Sequence, residues 1–163
     1  MSYILHKFPE EDEEMKDITA QDLMILSALR SNSRGSLHGL SKKINIPHST
    51  LHDKVKGYEK EIIRKYTSVL NYEQLGYGCR AIIALKLSKL QTEKLHNYVL
   101  EKKEINNAYE INHGYDILIE CIFKTKTELK MFMEELDENF QIQEKHVFEM
   151  YNDLKREGFL DES

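Results

Sequence analysis

Apolar positions follow two different rhythms along this chain. Up to about residue 63 they recur at three- and four-residue spacing, the period of an amphipathic helix; beyond residue 80 they mostly alternate, the period of a strand. In the first region three helices are predicted. Thr19 is a natural N-cap, with Asp22 three residues on as an acidic variant of the capping box, and Ile18 and Leu23 are spaced for a hydrophobic staple. Leu23, Ile25, Leu26 and Leu29 give a core-facing stripe to about Arg30. Ser31 to Gly35 reads as a polar loop, and Ser36 can cap the next helix. Leu37, Leu40 and Ile44 mark that helix, and Leu51, Val55, Tyr58 and Ile62 mark a third after a break at Asn45-Ile46-Pro47. Pro47 cannot continue a helix but suits the start of one, and Ile46 plugs the turn. This is the pattern of a helix-turn-helix.

The outward face of the third helix carries the candidate chemistry. With Leu51, Val55 and Tyr58 inward, Ser49, His52, Asp53 and Lys56 point outward. Small or flexible hydrogen-bonding groups of this kind suit the donors and acceptors of base edges in a major groove. His48 and Thr50 join them as candidate DNA contacts, and Lys42 and Lys43 on the preceding helix are candidates for phosphate. A solvated helix in any small helical domain has the same pattern, and charge is what separates the two readings. The chain as a whole is acidic, net −5, yet Arg30 to Tyr66 carries nine Lys/Arg against three acids. A basic island on an acidic chain is the footprint of a DNA-reading module.

The chain changes character after Ile63. Tyr66 to Tyr72 is rich in β-formers and predicts a short strand; Gln74 to Gly78 reads as a hinge. A strand over Ala81–Leu87, a helix from Thr92 to about Lys103, and strands over Ile105–Ile111 and Ile117–Phe123 follow, the last two joined by a turn at His113-Gly114-Tyr115. Thr125 and Glu128 form a second capping box before the stripe Leu129, Phe132, Met133, Leu136, and a fourth strand runs from Ile142 to Tyr151. The order β-α-β-β-α-β is the ferredoxin-like arrangement. Its helix-free face is read as Ile82, Leu118, Ile122 and Val147, apolar enough to ask for a second copy of the chain. The expected division is an acidic extension 1–17, a DNA-binding domain 18–65, a strand and hinge 66–79, a dimerisation and effector domain 80–152 and a tail 153–163. Tyr3, Ile4, Leu5 and Phe8 could dock as a short strand.

The overall expectation is thus an α+β chain, a winged-type helix-turn-helix followed by a ferredoxin-like βαββαβ domain. LSKKINIPHSTLHDKVKGYEKEIIRKY, AIIALKLS and INHGYDILIECIF, in this order and spacing, resemble the Lrp/AsnC family of bacterial and archaeal transcription regulators over residues 18–152. The resemblance implies binding to double-stranded DNA, a homodimer able to assemble into an octamer, and an amino-acid effector held between C-terminal domains. It places effector binding at His113, Gly114, Tyr115 and Asp116. Family members usually have glycine where this chain has His113, and a glycine ahead of the two apolar residues at Ile62-Ile63 that this chain lacks. Asp116 has two readings, turn chemistry with the backbone and capture of an effector ammonium.

Several classes are not expected. No run approaches the roughly 18 apolar residues of a membrane span, and the N-terminus turns acidic too soon for a signal peptide. Cys79 and Cys121 lack C-x-x-C spacing and fit as reduced thiols in a cytoplasmic protein. His48 and His52 have the spacing of two metal ligands, but no third is visible nearby in the sequence, so neither a metal nor a cofactor is expected. No P-loop, Rossmann glycine pattern or catalytic constellation is present. Two alternatives stay open: an enzyme of the same layout, resembling siroheme decarboxylases but lacking their His-Asn-Tyr run (Asn107-Ala108-Tyr109 stands there), and a DNA-architectural protein without sequence preference.

Overall fold

Thr19 opens the first helix of the computed structural model, which describes residues 17–88 and 91–161. The expected extension, with its strand over Tyr3–Phe8, lies outside the described residues. Two compact units are formed: one from residues up to Ser68 together with Glu157 onward, the other from Val69 to Arg156.

The first unit holds α1 (Ala20–Ser31), α2 (Leu37–Ile44) and α3 (His48–Glu61). Thr19 and Asp22 form the reciprocal capping box. Ser36 caps α2, its hydroxyl accepting from Gly39 N at 3.1 Å. Asn45 ends α2 in the left-handed region at φ 54°, a conformation that a short polar side chain tolerates. That turn throws Ile46 into the core and lets Pro47 open α3. The core is Ile25, Leu29, Ile46, Leu51, Val55 and Tyr58, with Leu26, Leu37, Leu40, Ile44 and Ile63 packed against it.

Three sequence expectations are corrected here. Leu23 is 43% exposed, and Asp22 takes the buried place in its stead. The inward face of α1 is therefore Asp22, Ile25 and Leu29 with Leu26 beside them, the predicted stripe with Asp22 in the place of Leu23. Ile62 lies at the C-cap of α3 and is exposed, while Ile63 packs inward. No strand forms over Tyr66–Tyr72: the backbone is irregular there, Tyr66, Val69 and Leu70 are exposed, and a 3-10 turn (Glu73–Leu75) follows. Strand propensity reflects packing on a paired surface, and this segment has no strand beside it. The head consequently has no β-wing among its described residues.

The second unit is a four-stranded sheet of β1 (Cys79–Leu87), β2 (Ile105–Glu110), β3 (Ile117–Phe123) and β4 (Ile142–Glu149), with α4 (Thr92–Glu101) and α5 (Lys126–Asn139) as the crossovers. The order is β2-β3-β1-β4 and every pairing is antiparallel, the ferredoxin-like topology. Alternation puts Ala81, Ile83, Leu85, Ile119 and Cys121 under the helices, where Leu95 and Leu136 are also fully buried. Thr125 caps α5 as the sequence predicts.

The opposite face needs one correction. Ile83 pairs with Val147 and Ile82 with Phe148, and directly opposed residues in an antiparallel pair share a face. Val147 thus belongs to the helix side, 40% exposed because β4 is an edge strand, and Phe148, 55% exposed, takes its place on the uncovered face. Ile82, Leu118 and Ile122 are half-buried on that face, alongside exposed Tyr109.

Candidate nucleic-acid interface

α3 separates its side chains by chemistry as well as by phase. Leu51, Val55 and Tyr58 are buried. His48, Ser49, Thr50, Asp53 and Lys56 are exposed and His52 is half-exposed. The N-cap is Pro47, which offers no side-chain hydrogen bond. The first N–H groups of α3 and the positive end of its dipole therefore accompany this face, which favours an anion there. Lys42 and Lys43, in the last turn of α2, are exposed as well.

Not every basic residue of the island lies on this surface. Lys54 turns inward and pairs with the Asp22 carboxylate at 2.5 Å. The same carboxylate accepts from the Thr19 backbone N–H at 2.9 Å, from the Thr19 hydroxyl at 2.6 Å and from the Tyr58 hydroxyl. Led by the bond from Lys54, these interactions hold Asp22 well below the usual carboxylate range, and burial beside that carboxylate pushes the Tyr58 phenol up. Asp22 is thus both cap and bolt, fastening the start of α1 to the middle of α3. Sequence reasoning finds the cap; the long-range partners have no local signal.

It also misses a histidine. His38, exposed at the start of α2, lies against His48 with ring centroids 6.1 Å apart, and His48 stacks on His52 at 6.4 Å. The turn at Asn45 brings residues ten positions apart together, beyond what the i, i+4 spacing of His48 and His52 reveals.

The second cluster of sequence-predicted residues forms the β2–β3 connection. His113 and Gly114 both have positive φ, 62° and 107°. The backbone thus keeps the left-handed form that glycine favours although histidine occupies the first position. The Tyr115 hydroxyl donates to Glu144 at 2.8 Å and its ring meets His146 edge-on at 5.6 Å. The Asp116 carbonyl closes the connection by accepting from Ile111 N at 2.9 Å, but its carboxylate makes no bond within the turn. Its carboxylate accepts from Leu87 N at 2.8 Å and its backbone N–H donates to Leu85 O at 2.9 Å, so it ties off the end of β1.

The remaining candidates are quickly placed. Cys79 and Cys121 are buried free thiols, and burial pushes the Cys121 thiol up to about 12. Among the described residues no group of three or more His, Cys, Asp or Glu is placed to hold a metal ion, and no helix is long and apolar enough to cross a membrane.

A three-helix head with a turn-linked α2–α3 pair, joined in one chain to a ferredoxin-like unit, defines a two-domain helix-turn-helix protein. Comparison with known proteins makes this specific. No family model matches the chain. An HTH-type transcriptional regulator of Pyrococcus furiosus is 30% identical over 118 residues, 72% of this chain and 80% of its own length. The HTH-type transcriptional regulator FL11 of Pyrococcus abyssi is 29% identical over 114 residues, 69% of this chain and 76% of its own. Among solved structures, Bacillus subtilis LrpC matches with TM-score 0.78 at 19% identity, over 86% of this chain and 99% of its own. Escherichia coli AsnC gives 0.76 at 22%, over 85% and 95%. A Neisseria meningitidis transcriptional regulator solved with L-Met gives 0.78 at 20%, over 85% and 92%. The structural likenesses speak to the fold, the sequence relatives to the kind of protein. This chain belongs to the HTH-type transcriptional regulators, DNA-binding proteins of transcription control, and has the fold of LrpC and AsnC.

Proposed function

We propose that this regulator reads double-stranded DNA in a sequence-dependent way with the outward face of α3. Ser49 and His52, near the helix start, reach base edges, with His48, Thr50 and Asp53 beside them; Lys42, Lys43 and Lys56 meet phosphate. The observation that carries this reading is the division of α3 itself. Its exposed side chains are short or hydrogen-bonding, while the lysine least suited to a reading role, Lys54, is turned inward onto Asp22.

The two roles behave differently. A lost phosphate contact weakens binding on all sequences and lowers the salt slope by about one; a lost base contact costs roughly 1–3 kcal/mol on the preferred site and little elsewhere. His52→Ala should therefore narrow the gap between specific and random duplexes, and Lys43→Ala should shift both together. Titrations on both DNAs at several salt concentrations decide it. If neither substitution changes either affinity, α3 is not the reading surface; if the unmodified protein binds unrelated duplexes equally well, the architectural reading replaces sequence reading.

In this proposal the protein acts in the cytoplasm as a homodimer, able to build toward an octamer, through the uncovered sheet face of Ile82, Leu118, Ile122, Tyr109 and Phe148. An amino acid modulates it at the His113–Asp116 connection, in keeping with the L-Met complex of the Neisseria protein. One Asp116 oxygen is already engaged by Leu87, so the other is assigned to the effector ammonium, with His113, Gly114 and Tyr115 around it.

A further inference from the structure

We infer that the DNA-reading surface extends onto α2 through His38, and that His38, His48 and His52 form a three-imidazole patch that takes up protons as it meets DNA, His38 at the phosphate backbone and His48 and His52 at base-edge acceptors. The inference rests on the proposed reading by α3 and adds to it a residue and a regulatory input.

The geometry is a continuous row. His48 lies between the other two, its ring 6.1 Å from that of His38 and 6.4 Å from that of His52, the latter pair inclined by only 20°. His38 and His48 are exposed and the His52 side chain is 44% exposed, so a DNA strand lying on α3 can reach all three. The row sits at the uncapped start of α3, where the N–H groups and the helix dipole already favour an anion. Among the described residues no three ligand groups are placed to hold a metal ion.

Imidazole changes charge between about pH 5 and 8 without further help. Its neutral form has one N–H donor; its charged form has two and a full positive charge. A phosphate oxygen or a base-edge acceptor is therefore met better by the charged form, and by linkage DNA binding draws protons onto the patch. Asp53 adds to the effect. Its carboxylate lies 3.7 Å from His52 Nδ1, and a protonated His52 offsets a charge that otherwise repels phosphate. The other charged groups on these helices are Lys42 and Lys43 at the end of α2, Lys56 on α3 and, in the last turn of α3, Glu59, Lys60 and Glu61, of which Glu59 accepts from the Tyr66 hydroxyl; on α1 the Asp22 carboxylate is turned to Lys54 and Tyr58 and Arg30 pairs with Glu157. The lysines set a floor of affinity. The histidines move affinity with pH above that floor.

The test uses the full chain and a short mixed-sequence duplex in fluorescence anisotropy titrations at about pH 6 and pH 8, at matched ionic strengths. The unmodified protein should bind about tenfold or more tightly at the lower pH, with a salt slope steeper by one to three. In His38→Gln/His48→Gln/His52→Gln the ratio between the two pH values should collapse toward that set by the chain's other histidines, His6, His96, His113 and His146. His38→Gln alone should remove part of it, the outcome that distinguishes a patch reaching α2 from one confined to α3. All three positions are solvent-facing, and unchanged far-UV circular dichroism confirms that the variants fold. A flat pH response in the unmodified protein, or a full response in the triple variant, overturns the inference while leaving the reading by α3 intact. If Lys43→Ala and Lys56→Ala fail to weaken binding at either pH, the reading itself falls and the inference with it.

Discussion

Replacing Asp22 with alanine should unfasten α3 while leaving every outward-facing side chain in place. The loss can be built up from the contacts. Without the carboxylate the reciprocal cap at Thr19 loses one arm, about 1 kcal/mol. The Tyr58 hydroxyl, on a side chain that is nearly buried, loses its acceptor, about 1–2 kcal/mol. Lys54 is 30% exposed and can turn to water, so its share is a few tenths. The total is about 3 kcal/mol, or roughly 150-fold in an opening equilibrium. Because a two-unit chain need not unfold in one step, the assay is native-state hydrogen exchange read residue by residue. The Leu51 and Val55 amides of α3 should exchange about two orders of magnitude faster, and those of Ile83 and Ile119 in the sheet should not change. Acid should mimic the substitution. The folded-state carboxyl is held below its unfolded value of about 4, so its contribution is complete above that pH and is lost progressively as pH falls further. If the Leu51 and Val55 amides keep their protection in Asp22→Ala, the carboxylate fastens nothing and the account of α1–α3 packing is wrong.

Phe148→Glu, a charge on an exposed position of the uncovered sheet face, should shift the proposed dimer toward a 19.3 kDa protomer in sedimentation velocity; a dimer that persists moves the contact elsewhere, and an unmodified chain that is already monomeric removes it. Asp116→Asn keeps an acceptor for the Leu87 N–H but removes the charge. It should abolish any thermal shift given by amino acids while changing DNA affinity without effector by less than about twofold; a retained shift removes Asp116 from the effector site.

Much of this fold was legible because local chemistry and long-range packing agree over most of the chain. Thr19, Ser36 and Thr125 announce helix starts, and Ala81-Ile83-Leu85 announces a strand, before any contact is known. The failures share a cause, which is that a second element decides the outcome. Leu23 and Asp22 lie one residue apart, and only the position of Lys54 and Tyr58 on α3 makes the aspartate the inward one. Val147 and Phe148 exchange faces according to their register against β1, which alternation within β4 cannot supply. Tyr66 to Tyr72 has strand propensity but no neighbouring strand. For the candidate interface, the outward face of α3 follows from helical phase alone. His38 does not, since its approach to His48 depends on the angle the Asn45 turn sets between two helices. Nor does the inward turn of Lys54, which a count of basic residues includes with the others.

The inward role of Lys54 has a consequence for how such a protein can change its target. Along α3, the side chains that hold the helix to its neighbours (Leu51, Lys54, Val55, Tyr58) and those that face outward (His48, Ser49, Thr50, His52, Asp53, Lys56) are interleaved in sequence yet share no member. A drifting copy of the gene could therefore exchange the outward set residue by residue while the anchoring set kept the helix in place. Its operator preference would be free to diverge at little risk to the scaffold that presents it.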